Sequence, residues 1–158
     1  MNIPSSISSV SVECLVERIG GHEVSPGAGS AGAVALALAA ACARKAVSVS
    51  LAHSPDDAEL RTASASFSEI AALALSDADR DSEAFRAFIR KRDPAALDRL
   101  VCEGEHIAHL IEVLSDAISK IEKRIRPNMT GDVIAARALL AAAHRIQRRN
   151  ENEALQVR

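Results

Sequence analysis

Between Ala31 and Ala43 the chain runs through 13 consecutive small or apolar residues, and a glycine-rich turn, Ser25-Pro26-Gly27-Ala28-Gly29-Ser30-Ala31-Gly32, leads straight into them. Alanine dominates the run and is the best helix former. A helix with no polar face belongs inside other helices. The run is too short to span a bilayer, which takes about 20 residues. It also starts too late, behind Glu13, Glu17 and Glu23, to be a signal peptide. Gly27, Gly29 and Gly32 satisfy G-x-G-x-x-G, but that fingerprint needs a strand before it and a βαβ unit around it. Ser9–Ile19 reads instead as a short amphipathic helix and no second strand follows, so no dinucleotide site is expected.

Composition narrows the fold class. The chain has 31 alanines in 158 residues, three Phe, no Tyr and no Trp. Strands favour β-branched and aromatic residues, so a sheet protein is disfavoured and an all-α fold is expected. The length suits one domain over 1–158 with a real core. A net charge of −2 with both signs mixed gives no electrostatic footprint for nucleic acid, and few aromatics exist for bases to stack on. Arg145, Arg148 and Arg149 read as a solvated helix face. Cys14, Cys42 and Cys102 are odd in number and far apart, which fits reduced thiols in a cytoplasm.

Five helices are predicted, over about 9–19, 29–53, 57–91, 94–125 and 131–154. Gly20-Gly21 ends the first. Asp56 and Asp57 open the third, Asp93-Pro94 opens the fourth, and Thr130 or Asn128 caps the fifth. The terminal Gln156-Val157-Arg158 is expected to fray. Short connections make neighbouring helices antiparallel. In the fourth segment Leu97, Leu100, Gly104, Ile107, Ile111, Leu114, Ile118, Ile121 and Ile125 keep a 3–4 spacing, the pattern of a core stripe. Gly104 in that stripe marks a close helix approach.

The third segment carries the sharper signal. Phe67, Ile70, Ala74, Asp77, Asp81, Ala84 and Phe88 fall on one stripe, with two carboxylates in its middle. Asp is a poor mid-helix residue and is seldom buried unless paired. Two at i, i+4 on a core-facing stripe repel, which can raise one pKa and supply an acid or base. Alternatively they sit at the stripe's edge and pair with Arg80 or another helix's arginine. In the fifth segment Asp132, Ala136, Leu139, Ala143, Ile146 and Asn150 share a face; Asp132 there is either a site carboxylate or an ordinary first-turn acid complementing the dipole. Cys102, His106 and His109 share a face near Glu103, Glu105 and Glu112, but a metal needs more ligands held together, so these histidines and His144 read as solvated or structural. Ser30 follows a glycine but lacks G-x-S-x-G.

Taken in order, these motifs resemble the cyclodeaminase/cyclohydrolase family. Ser25–Ala31 before an Ala-rich helix resembles its P-G-G-G-S-A turn, Asp81-Ser82-Glu83-Ala84-Phe85 its D-x-x-A-[FY] element, Asn128–Val133 its N…S-D-V segment, and Asn150-Glu151-Asn152 the end of its N-V-x-I-N. The chain departs from that pattern at Ala28, in place of the middle glycine, and at Arg90–Pro94, in place of L-P-K, and it is shorter than typical members. The resemblance implies an antiparallel helical bundle that dimerises and acts in one-carbon tetrahydrofolate chemistry. The reaction would be hydrolysis of the methenyl bridge of 5,10-methenyltetrahydrofolate, or the related formimino cyclodeamination. Asp81 and Asp132 match the positions expected to be catalytic. Pro26, Gly27, Gly29, Ser30, Asp77, Phe85 and Asn128 are expected to bind substrate. No metal or redox cofactor is implied, and the partners are a folate-like pterin and a second copy, without nucleic acid or membrane. A non-catalytic dimer serving as a binding module, or an enzyme of this fold on another small substrate, stays open.

Overall fold

Four long helices pack side by side, each antiparallel to its neighbours. The computed structural model describes residues 6–91 and 94–157; Asp93 and Arg158 lie outside them. A short 3₁₀ turn, Ile7–Ser9, precedes α1 (Val12–Gly20), then come α2 (Ala28–Leu51), α3 (Ala58–Lys91), α4 (Pro94–Ile121) and α5 (Thr130–Val157). The described residues contain no strand, as the composition predicts.

The cross-links between helices fix the direction of each. Ser30 meets Asp81 while Arg44 meets Ser68, so α2 and α3 run oppositely. Asp77 meets His106 while Arg80 meets Glu103, which does the same for α3 and α4. Glu122, just past α4, meets Arg137 of α5. A Cβ on Gly32 would lie 2.9 Å from Ile146 Cγ2, and Ser50 Oγ accepts from Arg126 N–H at the other end, closing the ring between α5 and α2.

The expected cap holds at α3, while α1 begins at Val12, three residues later than expected. The Ser11 hydroxyl accepts from Cys14 N–H at 3.1 Å. Asp57 accepts from both Glu59 and Leu60 N–H at 3.1 Å. The Leu60 N–H, with Arg124 beside it, holds the Asp57 carboxyl below its usual range. The fifth helix starts differently from expectation. A 3₁₀ turn, Pro127–Met129, feeds directly into it, and the Thr130 hydroxyl donates back to Pro127 O instead of capping. The fourth helix stops at Ile121, four residues early, and continues as a 3₁₀ turn over Glu122–Arg124. The fifth stays helical through Gln156 and Val157, where fraying was expected.

The core is built on α2. Ala33, Leu36, Ala39, Ala40, Ala46 and Val47 are wholly buried, facing Phe67, Ile70 and Ala74 of α3 and Leu114 and Ile118 of α4. At 24 residues α2 is, by length and composition alone, long enough to cross a membrane; one face is buried in the bundle, while Leu38, Ala41, Arg44, Lys45 and Ser48 are exposed. By contrast α1 has no fully buried residue; Leu15 packs on the core while Val12, Val16 and Ile19 face outward. The stripes predicted in α3 and α4 are the ones that pack. In α5 the buried stripe is Val133, Ala136, Leu140, Ala143 and Gln147, about one residue out of phase with the predicted face.

Candidate functional site

At the end of the bundle where α2 begins, the core opens into a cavity of about 480 Å³. Its apolar wall takes Phe88 from the predicted α3 stripe, Leu97, Leu100 and Ile107 from that of α4, and Phe85 from beside the α3 stripe. Gly27, Ala28 and Gly29 form its rim at the start of α2, and Gln147, Asn150, Glu151 and Glu153 of α5 close the other side.

The first N–H groups of α2 have no partner inside their own helix. Gly27 is extended there and offers no side-chain cap. Asp81 of α3 takes that role from across the bundle: its carboxylate accepts from the Ser30 hydroxyl at 3.0 Å and from the Ser30 backbone N–H. The fit depends on Gly29, where a Cβ would come within 2.6 Å of Asp81 Oδ2 and 2.7 Å of its Cγ. Burial pushes the Asp81 carboxyl above its usual range and the nearby Glu103 charge adds to this, while the two Ser30 bonds pull the other way. The result is a carboxylate facing a cavity, at a helix N-terminus, and easier to protonate than a solvated one.

Asp77, one turn earlier, has a different environment. It is wholly buried, binds the Arg80 guanidinium on one oxygen, and takes His106 Nδ1 at 2.8 Å on the other. Arg80 also reaches Glu103 at 2.8 Å. Asp77 and Asp81 therefore do not act as a repelling pair: Asp77 is matched by Arg80, and the rise at Asp81 comes first from burial. Of the two readings, solvated or structural, His106 takes the structural one, because it anchors α4 to α3. Ligand atoms of Asp77, Glu103 and His106 lie within 4.8 Å of one another, with the Arg80 cation bound to both carboxylates. His109 and Cys102 are exposed and stand outside this cluster.

Of the residues named from the motifs, the structure places Gly27, Gly29, Asp81 and Phe85 on the cavity and Ser30 against Asp81, while Asp77 does not line it. Pro26 is buried behind the rim, after a cis Ser25–Pro26 bond, and Ser25 bonds Ser82 at 2.5 Å. Asp132 and Asn128 are not brought to this cavity within one chain. They stand at the opposite end of the bundle, and the 15 residues from Asp132 to Gln147 put about 22 Å of helix between them. Nothing in the sequence pattern singled out Gln147. It is 5% exposed, lines the cavity, and fills the space left by Gly104, where a Cβ would lie 2.7 Å from its Nε2. The glycine in the α4 stripe does mark a close approach, but to an amide rather than to a helix backbone. The available signal was that Gln147 follows buried Ala143 by one helical turn.

Residues 11–98 match the sequence profile of the formiminotransferase-cyclodeaminase family. No curated protein sequence matches the chain. Among solved structures the bundle is similar to formiminotetrahydrofolate cyclodeaminase from Thermotoga maritima, with a TM-score of 0.88 and 18% identity, covering 96% of this chain and 81% of that one.

Proposed function

Because the chain belongs to the formiminotransferase-cyclodeaminase family, we propose that it works on a one-carbon tetrahydrofolate derivative, with Asp81 as its working carboxylate. The reaction is hydrolysis of the methenyl bridge of 5,10-methenyltetrahydrofolate, or the related cyclodeamination of a formimino derivative. The observation that carries this reading is Asp81 itself: a carboxylate raised by burial, fixed by Ser30, facing an apolar cavity with two phenylalanines.

The methenyl bridge is an amidinium-like carbon that carries positive charge. Every charged side chain lining the cavity among the described residues is acidic: Asp81, Glu105, Glu151 and Glu153. Such a lining stabilises a cationic ligand. In the hydrolysis, Asp81 orients a water toward the bridge carbon and accepts its proton as the C–O bond forms. When the C–N bond breaks, the same carboxyl returns that proton to the departing nitrogen, and the hydroxyl proton leaves to solvent as the formyl group forms. A raised carboxyl suits both halves of this exchange.

The proposal includes a homodimer, since Asp132 and Asn128 can reach a cavity only from a second copy. Sedimentation at micromolar concentration tests the dimer, and loss of turnover in Asp132→Asn tests that residue's part. The primary experiment follows the absorbance of 5,10-methenyltetrahydrofolate with wild type and Asp81→Asn. Accelerated decay that disappears in a folded Asp81→Asn variant is expected; equal turnover in the variant removes Asp81 from the mechanism.

A further inference from the structure

We propose that the Ser25 hydroxyl holds the attacking oxygen while Asp81 takes its proton, and that Arg86 polarises Ser25 through Ser82. The inference rests on the folate reading above and adds a second working group to its site. Ser25 lines the cavity and is 7% exposed. Its Oγ lies 2.5 Å from Ser82 Oγ, and Ser82 accepts from Arg86 Nη2 at 2.9 Å. Ser82 directly follows Asp81 on α3, so this chain of bonds ends next to the working carboxylate's own residue.

Counting protons sets the direction of the chain. A guanidinium only donates, so Ser82 Oγ is an acceptor toward Arg86. The single Ser82 proton is buried at a residue 2% exposed and needs an acceptor of its own. Helical serines commonly donate to the carbonyl one turn back, but Ser82 makes no such bond. Among the described residues its acceptor is Ser25 Oγ. The opposite direction would leave the Ser82 proton buried without a partner, a costly state. Ser25 therefore keeps its own proton, and no described residue accepts it. The cavity that Ser25 lines is where that proton finds an acceptor.

Arg86 is absent from the cavity wall, whose charged groups are acidic. A cation on that wall would repel a positively charged bridge. Two hydroxyls in series carry the pull of the guanidinium inward without its charge, because each bond in such a chain polarises the next. The attacking water has two protons and two lone pairs. Asp81 accepts one proton, Ser25 donates to one lone pair, and the other lone pair meets the bridge carbon. The same hydroxyl then donates to the formyl oxygen that this water becomes.

Steady-state turnover of 5,10-methenyltetrahydrofolate by Ser25→Ala, Arg86→Met and the double variant tests this, with circular dichroism reporting the fold. Ser25→Ala is expected to lower kcat at least about tenfold while KM stays within about threefold. Arg86→Met, at a half-buried position, should lower kcat severalfold, and Arg86→Lys should restore most of it. The double variant should match Ser25→Ala within about twofold, because Arg86 acts only through Ser25; two independent structural losses would multiply. Ser25→Cys, close in shape but a weak donor, takes the place of Ser25→Ala if the latter does not fold. A folded Ser25 variant with kcat within about twofold of wild type overturns the inference, as do losses that multiply in the double variant. Either result beside normal wild-type turnover leaves the folate reading standing and removes only Ser25 and its chain from the mechanism. Absence of wild-type turnover overturns both.

Discussion

A single methyl group placed at Gly29 tests the site most sharply. In Gly29→Ala the new Cβ lies 2.7 Å from Asp81 Cγ, whereas ordinary carbon contacts begin near 3.5 Å. The carboxylate must therefore retreat by about 0.8 Å or rotate away from the Ser30 hydroxyl and N–H. Crowding costs about 1–3 kcal/mol, and the gain in helix propensity returns up to about 1 kcal/mol. The net loss is about 0–3 kcal/mol, which for a chain of this size lowers the melting temperature by at most about 12 °C. The effect on turnover is far larger, because a displacement near 1 Å in a catalytic group costs about 100-fold. Methenyltetrahydrofolate decay measures this, with Gly20→Ala at the end of α1 as control, where a Cβ meets nothing within 4 Å.

A ligand-free readout accompanies it. The Asp81 carboxyl is raised in the fold, so its contribution to stability is complete below the usual carboxylate range and is lost as pH rises through the raised value. Pushing the group toward solvent removes that loss. Between about pH 4 and about pH 7 the melting temperature of Gly29→Ala should thus fall less, or rise more, than that of wild type. Turnover within twofold of wild type, together with parallel pH profiles, would refute the geometry argued for this site.

Two further outcomes follow from the packing. Phe67 is wholly buried between α2 and α3, so Phe67→Ala should cost about 3–5 kcal/mol, read as a lower urea midpoint with unchanged slope. The Asp77 network should be asymmetric: Arg80→Ala with His106→Ala strands a buried carboxylate and should cost about 3–5 kcal/mol, while Asp77→Asn leaves two partly exposed partners to water and should cost about 1 kcal/mol. The reverse ranking in denaturant titrations would show that Asp77 is not held by those two residues.

The α3 and α4 stripes were legible because large apolar residues there recur against polar ones, and their period fixes a phase. Phe67, Ile70 and Ala74 are buried as read, and so are Ile107, Ile111, Leu114 and Ile118. The α5 phase was not legible for a physical reason. Alanines at 135, 136, 138, 141, 142 and 143 cover several faces, so apolarity no longer marks the inner one. A buried glutamine at 147 breaks the rule that apolar residues mark the inner face. Asp81 was found by position on its stripe, but its partner Ser30 is 51 residues away, a distance that no local pattern spans. Asp132 came from a motif, and a motif carries no information about which end of a bundle it will occupy.

The slenderness of α2 shapes how this chain can drift. Where a core rests on bulky side chains, mutation chiefly removes volume and leaves holes. Here Ala33, Ala39, Ala40 and Ala46 are wholly enclosed, and none has volume to lose except by becoming glycine. Single-base changes in an alanine codon lead to Val, Thr, Ser, Gly, Pro, Asp or Glu. Most of these add atoms, a charge or a helix break where neighbouring helices already touch, and overpacking displaces helices as surely as a cavity weakens them. Serine and glycine are the mild exits, and Ser30 and Ser50, both buried on this helix, show that serine is accommodated there. Change along the buried face of this helix is thereby funnelled toward the smallest residues, while α3 and α4 are free to exchange one large side chain for another.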